Sequence, residues 1–260
     1  MPQTSVSTDN DALWEGQLVY PELPNEVVSK EVGESGGIDF GRTVVLISDK
    51  IYLPRSNKAT FDLTAALVSG DVVALSVVVN GSTTALTNTT YATSHAATMA
   101  SIETKIEAVS GIASATVSGN SITVYADAET DIYLTGASVT NGGAGTAVAS
   151  VTNTCSYDPF GITKSAQVEP DADGNFRYEE GDTASVMRDS IAATRSDDAL
   201  STGDVPFFRF YDQTATATDK QTGMLASAAG SSPTKAKLWS AATADEAFSA
   251  GGLGKVRVRI

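Results

Sequence analysis

At 260 residues, 42% of them apolar and most of those Ala or Val, the chain can build one large core or two smaller ones. Its formal charge of −14, from 31 acidic against 17 basic residues, argues against a polyanion partner, because phosphate contacts need clustered Lys and Arg. A single cysteine, Cys155, excludes an intramolecular disulfide and fits folding in a reducing cytoplasm.

Residues 1–35 are polar, with scattered apolar anchors at Leu13, Trp14, Leu18, Val19, Tyr20 and Leu23. No period of 2 or 3.6 holds across them, so the expectation is an extended N-terminal arm that docks through isolated side chains, onto a partner or back onto its own domain. The start Met1–Thr8 has neither the basic region nor the apolar core of a signal peptide. Val27–Val32 reads as a short strand before a Gly-rich turn.

Gly36-Gly37-Ile38-Asp39-Phe40-Gly41-Arg42 then leads into the β-branched run Thr43–Ile47, a strand. Gly41 marks a corner with positive φ or a close backbone approach, with Phe40 entering a core and Arg42 pointing the other way. Ser48-Asp49-Lys50 turns the chain, and Ile51-Tyr52-Leu53 pairs back before Pro54.

Composition shifts after Ala59, and residues 60–153 read as a separate α+β module. Val72–Val79 is an apolar strand and Asn80-Gly81 a hairpin signal. Met99, Ile102, Ile106 and Val109 share one face of a helix, with Thr93 or Ser94 as its cap, Gly111 as its stop, and Glu103 and Glu107 outside. Strands follow at Ala113–Val117, Ile122–Tyr125 and Ile132–Leu134, and Ala147–Val151 closes the module. The most apolar stretch, Ala65–Val79, is broken by Ser69-Gly70-Asp71 and is too short for a bilayer span.

Residues 154–260 return to the earlier style. Asp158–Gly161 reads as a turn, Ala184–Met187 as a strand, and Val205–Tyr211 as an aromatic strand with Pro206 at its start. Lys255–Ile260 alternates basic and apolar residues, a strand with one buried face and its end tied into a sheet.

Chemistry is hard to find in this chain. His95 and Cys155 lack the context of a nucleophilic dyad, and one His with one Cys makes no zinc set. Gly251–Val256 lacks the phosphate-loop spacing and reads as a loop. Asp171-Ala172-Asp173-Gly174-Asn175 resembles half a calcium loop, but Gly stands fourth and no helix flanks it, so a polar hairpin turn is the better reading. Neither catalytic residues, nor a metal site, nor a cofactor follow from the residues.

The run Gly37 to Val44, Gly-x-x-Phe-Gly-Arg-x-Val, resembles the structural cement proteins of tailed bacteriophages. In that family a polar arm, here Trp14–Leu18, precedes such a strand. Glu180-Gly181-Asp182 with Val186, Gly203-Asp204-Val205-Pro206 before Phe207–Phe210, and a Gly-rich loop into a last alternating strand are also similar. The resemblance covers residues 10–55 and 155–260; the middle module departs from the shortest members. It implies a non-enzymatic virion protein on the outer capsid surface, made in the host cytoplasm, that bridges major capsid protein subunits and forms homotrimers at local threefold positions. Neither nucleic acid nor membrane is an expected partner. Capsid or subunit contacts are expected from Leu13, Trp14, Leu18, Tyr20, Arg42 and Phe208, with Trp14 and Tyr20 as anchors. Two other readings stand beside it: a tail-tube or tail-adaptor protein, and a β-sandwich carbohydrate or host-surface binding module, for which Trp14 and Trp239 are the available indoles. The expected fold is mainly β, a barrel or sandwich from residues 36–59 and 154–260, with the small α+β domain inserted.

Overall fold

The computed structural model describes residues 16–19, 26–127, 129–166, 176–210, 223–227 and 236–260. Leu13, Trp14, Tyr20 and the Asp171–Asn175 turn lie outside them. Two compact units form. The first holds the described residues of Met1–Leu53, Pro159–Ser231 and Leu238–Ile260; the second holds Pro54–Asp158 and the described part of Ser232–Lys237.

The chain begins in the first unit with β1 (Glu26–Val32), β2 (Ile38–Asp39), β3 (Thr43–Ile47) and β4 (Lys50–Tyr52). The second unit follows with β5 (Lys58–Leu63), β6 (Val72–Val79), β7 (Ser82–Ala85), β8 (Thr89–Thr90), α1 (His95–Glu107), β9 (Ile112–Ser118), β10 (Ser121–Ala126), β11 (Ile132–Thr140) and β12 (Ala149–Thr154). The rest comprises β13 (Pro159–Thr163), β14 (Arg177–Tyr178), β15 (Thr183–Arg195), β16 (Phe207–Arg209), β17 (Leu225–Ala226), β18 (Ala236–Leu238), β19 (Ala242–Ala244) and β20 (Leu253–Arg259). The chain is mainly β, with an α+β unit inserted into a discontinuous β unit.

In the first unit the order β1-β4-β3-β13-β15 closes, because β1 also pairs with β15, and the result is a five-stranded barrel. Closure removes the open edges that a five-stranded sheet would otherwise expose. Val32, Ile38, Val44, Ile51, Tyr178, Ala184 and Val186 fill one core of this unit. The strand β15 is long enough to serve two partners: Thr183–Asp189 pairs with β1, and Asp189–Arg195 with β20. Val256 and Val258 of β20 are buried while Lys255 and Arg257 are half-buried, the alternation expected of this strand.

Two boundaries differ from the sequence expectation. Glu26–Val32 is a stave of the barrel, so the polar arm ends before it. The inserted unit begins at Pro54 rather than Thr60, because Lys58–Leu63 pairs with both β10 and β12.

The inserted unit has one sheet in the order β12-β5-β10-β9 and another in the order β11-β6-β7, with β8 also on β6. Its core joins Phe61, Leu75, Val77, Ile122, Val124 and Leu134 from the strands to Met99, Ile102 and Ile106 from α1. Ser94 caps α1, its side chain accepting from the Ala97 N–H. Asn153 of β12 joins the two sheets: its side chain accepts from the Leu134 N–H at 2.8 Å and donates to the Leu134 carbonyl at 3.2 Å.

Candidate assembly surfaces

The Gly37–Val44 motif forms a tight corner beside the barrel. Gly37 and Gly41 both have φ of 72°. A Cβ on Gly37 would lie 2.8 Å from the Tyr178 carbonyl oxygen, so the motif's first glycine is required by space as well as by conformation. Phe40 packs edge-on against Tyr178, ring centroids 5.3 Å apart. The Tyr178 hydroxyl donates to the Lys164 carbonyl at 2.8 Å, and burial pushes its acidity down, raising the phenol above its usual range.

Arg42 and Phe208, expected at a contact surface, are interior residues. Arg42 is 7% exposed; its backbone N–H donates to Thr163 Oγ1 at 3.0 Å and its guanidinium lies 3.5 Å from Asp39. It locks the corner to β13 instead of reaching outward. Phe208 is fully buried, as is Phe210. Between them Arg209 forms a buried ion pair with Asp197, and its Nη2 lies 3.9 Å from Asp198. The aromatic run is therefore apolar packing around a charge pair. Gly223 ties it to the corner, donating to the Arg209 carbonyl at 3.0 Å and accepting from the Thr43 N–H at 2.9 Å.

Leu18 lies on the barrel's long strand. It bridges Ala192, and the Gly16 and Val19 N–H groups donate to the Ala193 and Ile191 carbonyls at 2.9 and 3.0 Å. The described part of the arm is thus bound by its backbone to its own unit. Gly16, φ +74°, sits where a Cβ would be 2.6 Å from the Ser165 nitrogen.

Arg188 gathers a second group of residues on the barrel strands. The Arg188 guanidinium stacks 4.8 Å over the Phe160 ring, and its Nη1 is 3.0 Å from Glu26. Ile260, 40% exposed, donates its N–H to the Arg188 carbonyl, and Val27 beside Glu26 is 37% exposed. Arg188 thus bridges Glu26 and the half-buried Phe160, which packs against the barrel core, while Val27 pairs with Met187 on the other face of the strands. Phe160, expected in a turn, lies in β13, because Pro159 and Gly161 mask a strand whose register shifts there.

The residues with chemical potential have structural roles. His95 Nδ1 accepts from the Leu67 N–H at 3.0 Å and its Nε2 lies 3.3 Å from the Gly119 carbonyl, so the ring ties the start of α1 to two loops. Burial pushes the Cys155 thiol up to about 11. Trp239 is 2% exposed, inside its unit. Among the described residues no group of His, Cys, Asp or Glu is placed to hold a metal ion, and no helix is long and apolar enough to cross a membrane. No family model and no curated protein sequence matches the chain.

Proposed function

We propose that this chain is a non-enzymatic structural protein of a tailed-phage virion. It sits on the outer face of the icosahedral head and bridges neighbouring major capsid protein subunits. The observation that supports this reading most is convergence. The motifs at Gly37–Val44, Glu180–Asp182, Gly203–Phe210 and Gly251–Ile260 lie far apart in sequence, yet all belong to the unit built on the closed barrel. The middle module, which departs from the motif pattern, folds on its own core.

On the barrel unit, Val27 and Ile260 are large apolar side chains left exposed among the described residues, and they are available to a partner. Immunogold labelling of particles, with antibody raised against the inserted unit, tests the role. Gold on heads supports it; gold on tails assigns the chain to the tail, and unlabelled particles remove it from the virion. Val27→Asp tests the exposed face of β1: bound copies per head are expected to fall about tenfold with the circular dichroism unchanged. Undiminished occupancy would move the contact elsewhere.

A further inference from the structure

The two outer edges of the inserted unit's sheets are finished differently. The strand β9 is an edge, hydrogen-bonded to β10 alone. Its register with β10 turns the Ala115 and Val117 N–H groups outward, and both are satisfied: Glu107 Oε1 accepts from Ala115 at 3.2 Å and Glu103 Oε1 from Val117 at 3.1 Å. Two carboxylates of α1 therefore blunt that edge, a standard defence against strand addition.

The strand β7 is also an edge, paired only with β6, and has no such cover among the described residues. Val79↔Ser82 closes a two-residue turn, with φ of 47° at Asn80 and 78° at Gly81. The Leu86 N–H donates inward to the Leu75 carbonyl. By the alternation of an antiparallel ladder, Ser82, Thr84 and Leu86 hydrogen-bond inward while Thr83 and Ala85 turn their N–H and C=O outward. Ser82–Ala85 are exposed at every position. Both ends of the strand are held: one by the turn, the other by Lys105, whose ammonium donates to the Thr87 carbonyl at 2.9 Å and Thr89 Oγ1 at 2.8 Å. Among the described residues the edge is open, held at both ends, and carries no charged side chain in Ser82–Ala85.

We infer that β7 is a docking edge for the β7 of a second copy of this chain, paired antiparallel about a twofold axis through Thr84. Two features select that occupant. The first is charge. Residues 72–102 contain no Asp, Glu, Lys or Arg, in a chain of net charge −14 whose copies otherwise repel. The second is register. A twofold axis through Thr84 sets Thr83 opposite the partner's Ala85 and Ala85 opposite the partner's Thr83. Both outward residues of both copies are then used, while axes through neighbouring residues leave one outward residue opposite a turn or loop. The two Thr84 side chains meet as a non-hydrogen-bonded pair, about 4.5–5.5 Å apart at Cβ. The contact is small, so it is weak in dilute solution and acts when copies are already held close. Being twofold, it links copies across any threefold assembly rather than within it.

Cysteine scanning of the full chain tests this. Thr83→Cys, Thr84→Cys, Ala85→Cys and the exposed control Ser110→Cys are each incubated with oxidised glutathione and followed on non-reducing gels. Thr84→Cys is expected to give disulfide-linked dimer about tenfold faster than Ser110→Cys, because pairing raises the effective thiol concentration. Adding Ala85→Pro, which removes an outward donor and no bond to β6, should abolish the advantage. Equal rates for Thr84→Cys and Ser110→Cys would overturn the pairing. Fastest linkage at Thr83→Cys or Ala85→Cys would overturn the register. A Thr84→Cys protein that links only to a different polypeptide in assembled particles would assign the edge to that polypeptide instead.

Discussion

Cys155 donates weakly to the Tyr157 carbonyl at 3.6 Å, and its burial makes the thiolate costly, raising the thiol to about 11 from an ordinary 9.0. The folded state therefore holds this proton more tightly than the unfolded chain. Its contribution is fully present below pH 9 and is lost as pH rises through about 11, approaching roughly 3 kcal/mol. Urea unfolding of wild type and Cys155→Ala between pH 8 and 11 should show the wild type losing stability more steeply, and the native thiol should resist Ellman's reagent at pH 8. Equal pH slopes would remove the assigned burial cost. The Arg209–Asp197 pair makes the opposite kind of demand. Both side chains are almost wholly buried, so removing one partner strands a charge in the interior. Arg209→Met alone should cost about 3–5 kcal/mol in urea unfolding, whereas Arg209→Met with Asp197→Leu should cost distinctly less. A double variant as unstable as the single one would show that the apolar packing of Phe208 and Phe210, not the charge, is what Arg209 supports.

At the level of elements, α1 supports the unit through its polar face as well as its apolar one. Glu103→Ala leaves the Val117 N–H without its charged acceptor and should cost about 1–2 kcal/mol by urea unfolding, with Glu103→Gln retaining part of the bond. Losing the cap through Ser94→Ala should cost about 1 kcal/mol. The helix was legible in its start and buried face, but it ends at Glu107 with Ala108 as its cap, before the expected Val109 and Gly111. Met99, Ile102 and Ile106 kept helical spacing, Ser94 stood at the start, and all three apolar residues are buried. What could not be read was the destination of Glu103 and Glu107, because solvent exposure and edge capping use the same residue types at the same spacing. The strand β15 shows the converse. Ala184–Met187 was recognised, but Ser190–Thr194 is buried on both faces, so the period-2 alternation that marks a strand disappears there. The contact surface failed for a related reason. Arg42 and Phe208 have the composition of interface residues, but so do residues that lock a corner or fill a core, and burial alone separates them. Phe160 carried no strand signal, since Pro159 and Gly161 flank it.

Across the whole chain, the inserted unit leaves and rejoins the barrel next to a single strand. Val45 of β3 pairs with Tyr52 on one side and Pro159 on the other, so the two ends of the insertion flank one strand. With strands about 4.8 Å apart, they stand roughly 10 Å from one another. A gap of that size is bridged by a few flexible residues, and loop closure entropy rises only slowly with length. The insertion owns a continuous core from Ala59 to Ala147 that includes its helix, and the barrel owns another around Val44 and Val186. Each has what independent folding requires. Replacing residues 54–158 by a short Gly-Ser linker should therefore leave a protein with strand-rich circular dichroism and cooperative urea unfolding. The fragment 54–158 should unfold cooperatively too, retaining its helical signal, and should be less stable than the same unit in the intact chain because it lacks Lys237, whose ammonium donates to the Tyr157 carbonyl and pairs with Asp158. Loss of cooperativity in the barrel protein would mean that the closure of β1 onto β15 depends on the insertion, and the division into two self-sufficient units would fail at that point.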